Sequence, residues 1–332
     1  MIGKRTMWKR LTLVAFVAVL MLGVFSSTPH MITYGRVADL PQADNTSSVN
    51  GLPSQWHLAK IMADKAWQIT DSTPDIVVAV LDTGIDVNNE DLLGKVKQSV
   101  NFTSSPTEDD VYGHGTLIAS LIAASEQDLQ GATGVAYNCS LLNVKVADDA
   151  GFTTPEAVAE GIIWAADNGA DIINMSVVLT SPSTAVEDAV NYAWGKGCLL
   201  VAASGNNAGL KPMYPAAYEN VISVGATDQN DQLARWSNRG EWVTVSAPGV
   251  DIYSTAQDDK YVQKSGTSFA TALVSGEAAL LYAVVTDKNG NGYINDEVSE
   301  IIQSSTDATV NADAKGRINV LKAVDAALAN QP

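Results

Sequence analysis

Short apolar runs recur along this chain, at residues 76–81, 140–146, 171–175, 198–203, 221–224 and 242–245. They are nearly continuous rather than alternating, the pattern of strands covered on both faces, as in a parallel sheet. Helical patterns with legible ends stand between them. Thr154-Pro-Glu opens one as cap, first-turn proline and acid, and Gly169 closes it. Thr184 with Glu187 has the form of a capping box for the next, which stops at Gly197. Apolar helices are also expected over 117–124 and from Ser268 to Val285. This alternation predicts a doubly wound α/β domain, with a mostly parallel central sheet and helices on both faces. In such sheets the working residues gather just beyond the carboxyl ends of the strands.

The N-terminus follows a different pattern. Residues 11–25 form an apolar run behind Lys4, Arg5, Lys9 and Arg10, with the small residues Ser26 and Ser27 after it. Such a run is short for a spanning helix and right for a signal peptide, read here as residues 1–27. An uncleaved N-terminal anchor is the alternative, and both readings export the body of the chain. Residues 28–54 read as a short polar pro-segment or linker, with 40–53 rich in Pro, Asn and Ser. Residues 55–332 contain no further linker or repeat and parse as one domain.

Composition sharpens this picture in two places. The net charge is −17, from 20 basic and 37 acidic residues. Without the four N-terminal cations, 16 against 37 leaves −21. That balance argues against nucleic acid or an anionic membrane as partner, and the body is read as a soluble monomer. Cys139 and Cys198 are the only cysteines in 332 residues, so no disulfide framework is present. Both begin apolar runs, which fits buried thiols at least as well as a bridge.

Four polar motifs fall at strand ends or helix starts. Asp82 ends the first run and begins Asp-Thr-Gly; alone it reads equally well as a turn or cap residue. His114 lies in Gly-His-Gly-Thr before an apolar helix, where a tight turn is the plainer reading. Ser268, in Ser-Gly-Thr-Ser-Phe-Ala, meets the start of a long apolar helix and could be a plain cap. As a nucleophile it needs a neighbouring base. Asn206, in Ser-Gly-Asn-Asn, reads as a left-handed turn residue or as an amide donor to an oxyanion.

Taken together, the order Asp-Thr-Gly, Gly-His-Gly-Thr, Ser-Gly-Asn, Gly-Thr-Ser-Phe-Ala resembles the subtilisin-like serine peptidases (subtilases). The resemblance runs from Gln55-Trp-His-Leu-Ala-Lys-Ile through Ala-Pro-Gly249 to Gly316-Arg-Ile-Asn319. It implies an exported endopeptidase acting on polypeptides through an acyl-enzyme, without an organic cofactor. Ser268 would attack, His114 would take and return the proton, Asp82 would orient the imidazole, and Asn206 would stabilise the oxyanion. By the same resemblance Gly151, Ser176 and Val178 line the substrate cleft, and Met213 floors the first specificity pocket. A non-catalytic peptide-binding module of the same fold is the competing reading. A lipase or esterase lacks support, because no Gly-x-Ser-x-Gly elbow precedes a helix in the required order.

Several positions depart from the family pattern. Ala272 and Leu273 stand where Pro and His are usual, and Leu117 replaces a second His. Val178 and Leu179 replace the glycines of a common Ser-Leu-Gly-Gly, bulk that would either narrow the non-primed subsites or shift how a peptide docks. Residues 28–54 are too few for the folded inhibitory pro-domain that many subtilases carry. The resemblance also implies a structural Ca²⁺ held by Gln55, Asp91 and the loop 125–131, with Asp128 as its best oxygen donor. Independently, the loop beginning Asp287-Lys-Asn289-Gly-Asn291-Gly matches an EF-hand-type pattern, although Val298 holds the twelfth position where an acid belongs. A polar Gly-Asn turn launching a helix is the alternative there.

Overall fold

The buried runs become strands because each has a helix layer on both sides. The computed structural model describes residues 35–37, 55–125, 131–311 and 315–329. Its strands are β1 (Gly35–Val37), β2 (Val77–Asp82), β3 (Val96–Asn101), β4 (Ser140–Lys145), β5 (Phe152–Thr153) and β6 (Ile172–Met175). They continue with β7 (Val177–Val178), β8 (Leu199–Ala203), β9 (Val221–Thr227), β10 (Val245–Pro248), β11 (Ile252–Ala256) and β12 (Lys260–Lys264). The helices are α1 (Trp56–Lys60), α2 (Ala63–Ala66), α3 (His114–Ala123), α4 (Pro155–Asp167), α5 (Thr184–Gly195), α6 (Thr267–Tyr282), α7 (Asn295–Ser304) and α8 (Val320–Ala329).

Seven strands form one sheet in the order β10-β9-β8-β6-β2-β4-β3, every neighbouring pair parallel. The doubly wound expectation holds. Alternate residues of β2 feed two cores: Val78 and Val80 face the layer of α3 and α6, while Val77, Ala79 and Leu81 face α4 and α5. The chain leaves β2 for β4 on one side and reaches β6 on the other, so the strand order reverses at β2. The crevice at such a switch lies over the carboxyl end of β2. Asp82 is the last residue of that strand.

Two local expectations shift. Thr184 is the first residue of α5 rather than its cap; Ser183 precedes it, and no side-chain capping bond forms. The apolar stretch at 242–245 is mostly a loop, its Trp242 indole donating to the Leu210 carbonyl, and β10 begins only at Val245. Thr154 caps α4 as expected, its hydroxyl accepting from the Ala157 N–H at 3.2 Å. Cys139 and Cys198 are buried free thiols, both pushed up to about 12 by burial. The N-terminal segments 1–27 and 40–53 lie outside the described residues.

Glu277, deep in α6, is fully buried, and among the described residues neither of its oxygens has a hydrogen-bond partner. Burial raises its pKa from 4.5 to about 8, with the charge of Arg317 opposing. The folded chain therefore keeps a proton that the unfolded chain releases above pH 4.5. This raised carboxyl costs nothing below the unfolded value; its penalty grows as pH climbs from about 4.5 to about 8, then levels. At ~1.4 kcal/mol per pH unit, the full span is on the order of 5 kcal/mol. Glu277→Gln is expected to raise the melting temperature at pH 8.5 and to leave it nearly unchanged at pH 4.5. Equal pH slopes for parent and variant would show that Glu277 ionises in place at no cost.

Candidate active site

The site is built at the carboxyl ends of β2 and β8 and the starts of α3 and α6. Asp82 is fully buried, and its Oδ1 accepts from the Thr83 N–H at 2.7 Å and from His114 Nδ1 at 2.7 Å. The side chains of the pair are 0% and 1% exposed. His114 opens α3 behind Gly113, whose φ of 93° suits a glycine. Close approach of the two turns also needs Gly115, since a Cβ there would lie 2.0 Å from the Gly84 carbonyl oxygen.

Two residues that motif reading passed over hold this turn in place. Asp110 accepts at both oxygens, from the hydroxyls of Thr83 and Thr116 and the N–H groups of Gly113 and Thr116. Burial pushes its carboxyl upward while these hydrogen bonds pull the other way. The carboxylate thus satisfies orphan donors at the start of α3 and ties them to the turn after Asp82. Lys145, fully buried at the end of β4, donates to the carbonyls of Thr83 and Asp109 and pairs with Asp149 at 2.8 Å. The one sequence signal was the placement of Asp109-Asp110 shortly before Gly-His-Gly.

Ser268 is fully buried in the first turn of α6. Helices α3 and α6 pack together, and the ring of Phe269 meets the His114 imidazole edge-on at 6.1 Å between centroids. Asn206 is fixed by its oxygen: Oδ1 accepts from the Thr267 N–H and hydroxyl, both at 2.9 Å. The Thr267 hydroxyl also accepts from the Gly205 N–H at 3.1 Å. Thr267 thereby locks the turn after β8 onto the start of α6 and sets which way the Asn206 amide nitrogen points. Among the described residues the structure thus brings Asp82 and His114 into direct contact and joins Asn206 to the helix start that carries Ser268.

Gly151, Ser176 and Val178, expected to line a cleft, lie on or beside a small three-stranded sheet. β1 lies between β5 and β7 and pairs antiparallel with both, Arg36 facing Phe152 on one side and Val178 on the other. Gly151 precedes β5 with φ of 78° and packs against the Tyr112 ring of the loop before His114. Ser176 is buried beside β7, its hydroxyl accepting from Asn174, which in turn accepts from Ser275 of α6. Val178 lies in β7 opposite Arg36, and Leu179 exchanges backbone hydrogen bonds with Tyr214. Met213 is half-buried against Gly205, 3.8 Å from where a Cβ would stand. Ala272 and Leu273 are simply core residues of α6. His57 is buried as well, held at about 3 by desolvation, a neutral packed ring.

The cation candidates divide. Gln55 bonds Thr133 through both ends of its amide, and Asp91 accepts from the Ala132 N–H and the Thr255 hydroxyl. Both side chains therefore grip residues 132–133; Asp128 lies outside the described residues. Gln55 and Asp91 offer three side-chain oxygens between them, fewer than the six to eight ligands that Ca²⁺ takes. At the second loop, Asp287 accepts from the N–H groups of Gly290 and Gly292, and the amides of Asn289 and Asn291 converge on Asp296 Oδ2. Asn295, the ninth position, turns its amide into the body, toward Trp194 and Cys198. Val298 is fully buried in the core.

A model of the subtilase family matches residues 73–320. The chain is 42% identical over 265 residues to a thermophilic serine proteinase of Bacillus sp. (strain AK1), covering 79% of this chain and 64% of that protein. It is 40% identical over 274 residues to thermitase of Thermoactinomyces vulgaris, covering 81% of this chain and 95% of thermitase. A minor extracellular protease of Bacillus subtilis is 40% identical over 228 residues, 68% of this chain and 35% of that protein. With a seven-stranded parallel sheet and a buried Asp–His pair at its switch point, the chain belongs to the subtilase family of serine peptidases.

Proposed function

We propose that this chain is an exported endopeptidase that cuts polypeptides through an acyl-enzyme at Ser268. The Ser268 hydroxyl adds to the peptide carbonyl while its proton passes to His114 Nε2. The carbonyl electron pair moves onto oxygen, where the Asn206 amide and the Ser268 N–H donate to it. Collapse expels the amine, which takes the proton back from His114, and water repeats the sequence on the ester. Asp82 holds the imidazole with Nδ1 protonated, so that Nε2 is the basic nitrogen. The observation that carries this reading is the buried 2.7 Å contact between Asp82 and His114 at the strand-order switch. A groove that already pairs with an extended segment on both edges supports polypeptide substrates. Because β1 fills that groove, a substrate strand must first displace it.

Export rests on residues 1–27 and on the extracellular naming of one relative. The charge of −17 supports a soluble monomer that binds neither nucleic acid nor membrane through its body. A fluorophosphonate is expected to label the protein once, at Ser268, in preparations that hydrolyse casein. Casein left intact, with Ser268 unlabelled, would favour the non-catalytic peptide-binding module.

We also propose that the 287–296 loop binds a structural Ca²⁺. Asp287, Asn289, Asn291 and Asp296 converge there, and Asp296 Oδ1 is buried with no partner among the described residues. A half-turn of the two amides would offer oxygens in place of nitrogens. For a site of ~1 mM affinity, 10 mM calcium stabilises by ~1.4 kcal/mol, or about 3–5 °C in melting temperature. Asp296→Asn should lose that increment; an unchanged calcium shift in the variant would move the ion elsewhere.

A further inference from the structure

The segment lying in the groove shows which side chains its two outer positions accept. At the first, Gly35 faces Thr153. A Cβ on Gly35 would lie 2.6 Å from Leu179 Cδ2, 2.6 Å from the Val178 carbonyl oxygen and 2.8 Å from Thr153 Cγ2. All three are closer than carbon and its neighbours approach. The wall has little room to retreat, since Leu179 is fully buried and doubly bonded through its backbone to Tyr214. Val178 and Leu179 thus close this position to any side chain.

At the second position the groove is open and carries one distinctive group. Phe152 is 41% exposed, and the Arg36 guanidinium lies over its ring, 4.7 Å from the centroid. An aromatic face at that distance attracts a cation through its quadrupole. The neighbouring turn adds one negative charge, Asp148, which accepts from the Phe152 N–H; Asp149 beside it is already paired with Lys145. An acidic side chain over Phe152 would meet that turn and a body whose net charge without the four N-terminal cations, 16 basic against 37 acidic residues, is −21.

We infer that the cleft selects peptides carrying glycine followed by a basic residue upstream of the bond cut, with Leu179 and Thr153 enforcing the glycine and Phe152 recruiting the cation. The inference deepens the peptidase reading and rests on it. β1 runs antiparallel to β7, from Val178 toward Ser176 and the carboxyl end of β6, so the cut lies downstream of this pair.

The test is a peptide library incubated with the full chain, cleavage products being sequenced by mass spectrometry. Two adjacent upstream positions should show glycine and then Arg or Lys. Phe152→Ala should reduce the Arg-over-Glu preference about 2–5-fold and keep the glycine. Leu179→Ala should loosen the glycine requirement without abolishing it, because the Val178 carbonyl oxygen and Thr153 Cγ2 stay close, and should keep the basic preference. Should Leu179→Ala fold poorly, Thr153→Ser removes the obstructing methyl while keeping the hydroxyl that donates to the Val146 carbonyl. Cleavage without these preferences, or preferences untouched by the variants, overturns the inference while fluorophosphonate labelling of Ser268 leaves the peptidase reading standing. Absence of both cleavage and labelling overturns the two together.

Discussion

Alanine in place of Ser268 is expected to lower peptide turnover on the order of 10⁶-fold while leaving the fold intact. That magnitude is the one known from a subtilisin that lost its nucleophile, so it belongs to the family rather than to this geometry. What this geometry adds is the reason the fold should survive. The start of α6 is secured by Thr267, whose N–H and hydroxyl both reach Asn206 and whose hydroxyl also takes the Gly205 N–H. Gly266, not Ser268, is the residue at the cap position. Removing one hydroxyl from Ser268 should therefore move stability by no more than about 1 kcal/mol. Residual hydrolysis on the order of 10³–10⁴ above water should persist, because the oxyanion donors remain. Peptide turnover alongside thermal melting checks both halves. A loss smaller than about 100-fold at unchanged melting would take the nucleophile's role away from Ser268.

The central sheet was legible because burial on both faces writes itself as unbroken apolar runs. β3 was not, since its Lys97, Gln98 and Ser99 are exposed and leave no such run. β1, β5 and β7 are two or three residues long and owe their pairing to one another, which no local pattern encodes. The motif residues could be found because each sits beside glycines or a strand end, a backbone signature as much as a chemical one. Asp110 and Lys145 carry no such mark. Their partners, from Thr83 to Thr116 and Asp149, meet only once β2, β4 and α3 are packed. Val178 and Leu179 stand out in the sequence as bulky replacements, but the crowding at Gly35 also involves Thr153, from a different strand. The two cysteines and His57 show the opposite case, in which reactive residue types are buried and shifted away from reactivity.

Asp82→Asn is expected to cost about 10⁴-fold in turnover with the substrate KM little changed, since the carboxylate is wholly buried and lies behind the imidazole rather than in the groove. An asparagine amide can present its nitrogen to His114 Nδ1. The ring then accepts there and carries its proton on Nε2, the wrong nitrogen for taking a proton from Ser268. The carboxylate also balances the charge that the imidazole gains when it is protonated, and a neutral amide does not. Asp82 has a second duty that must be separated from this one: its Oδ1 accepts the Thr83 N–H at 2.7 Å, as a turn residue would. Asparagine keeps an oxygen able to accept that bond, so a purely structural Asp82 would let Asp82→Asn melt and turn over nearly as the parent does. A large fall in kcat at nearly unchanged melting temperature would place the effect in the imidazole's orientation and charge. A fall in melting temperature with kcat preserved would reduce Asp82 to the residue that ends β2.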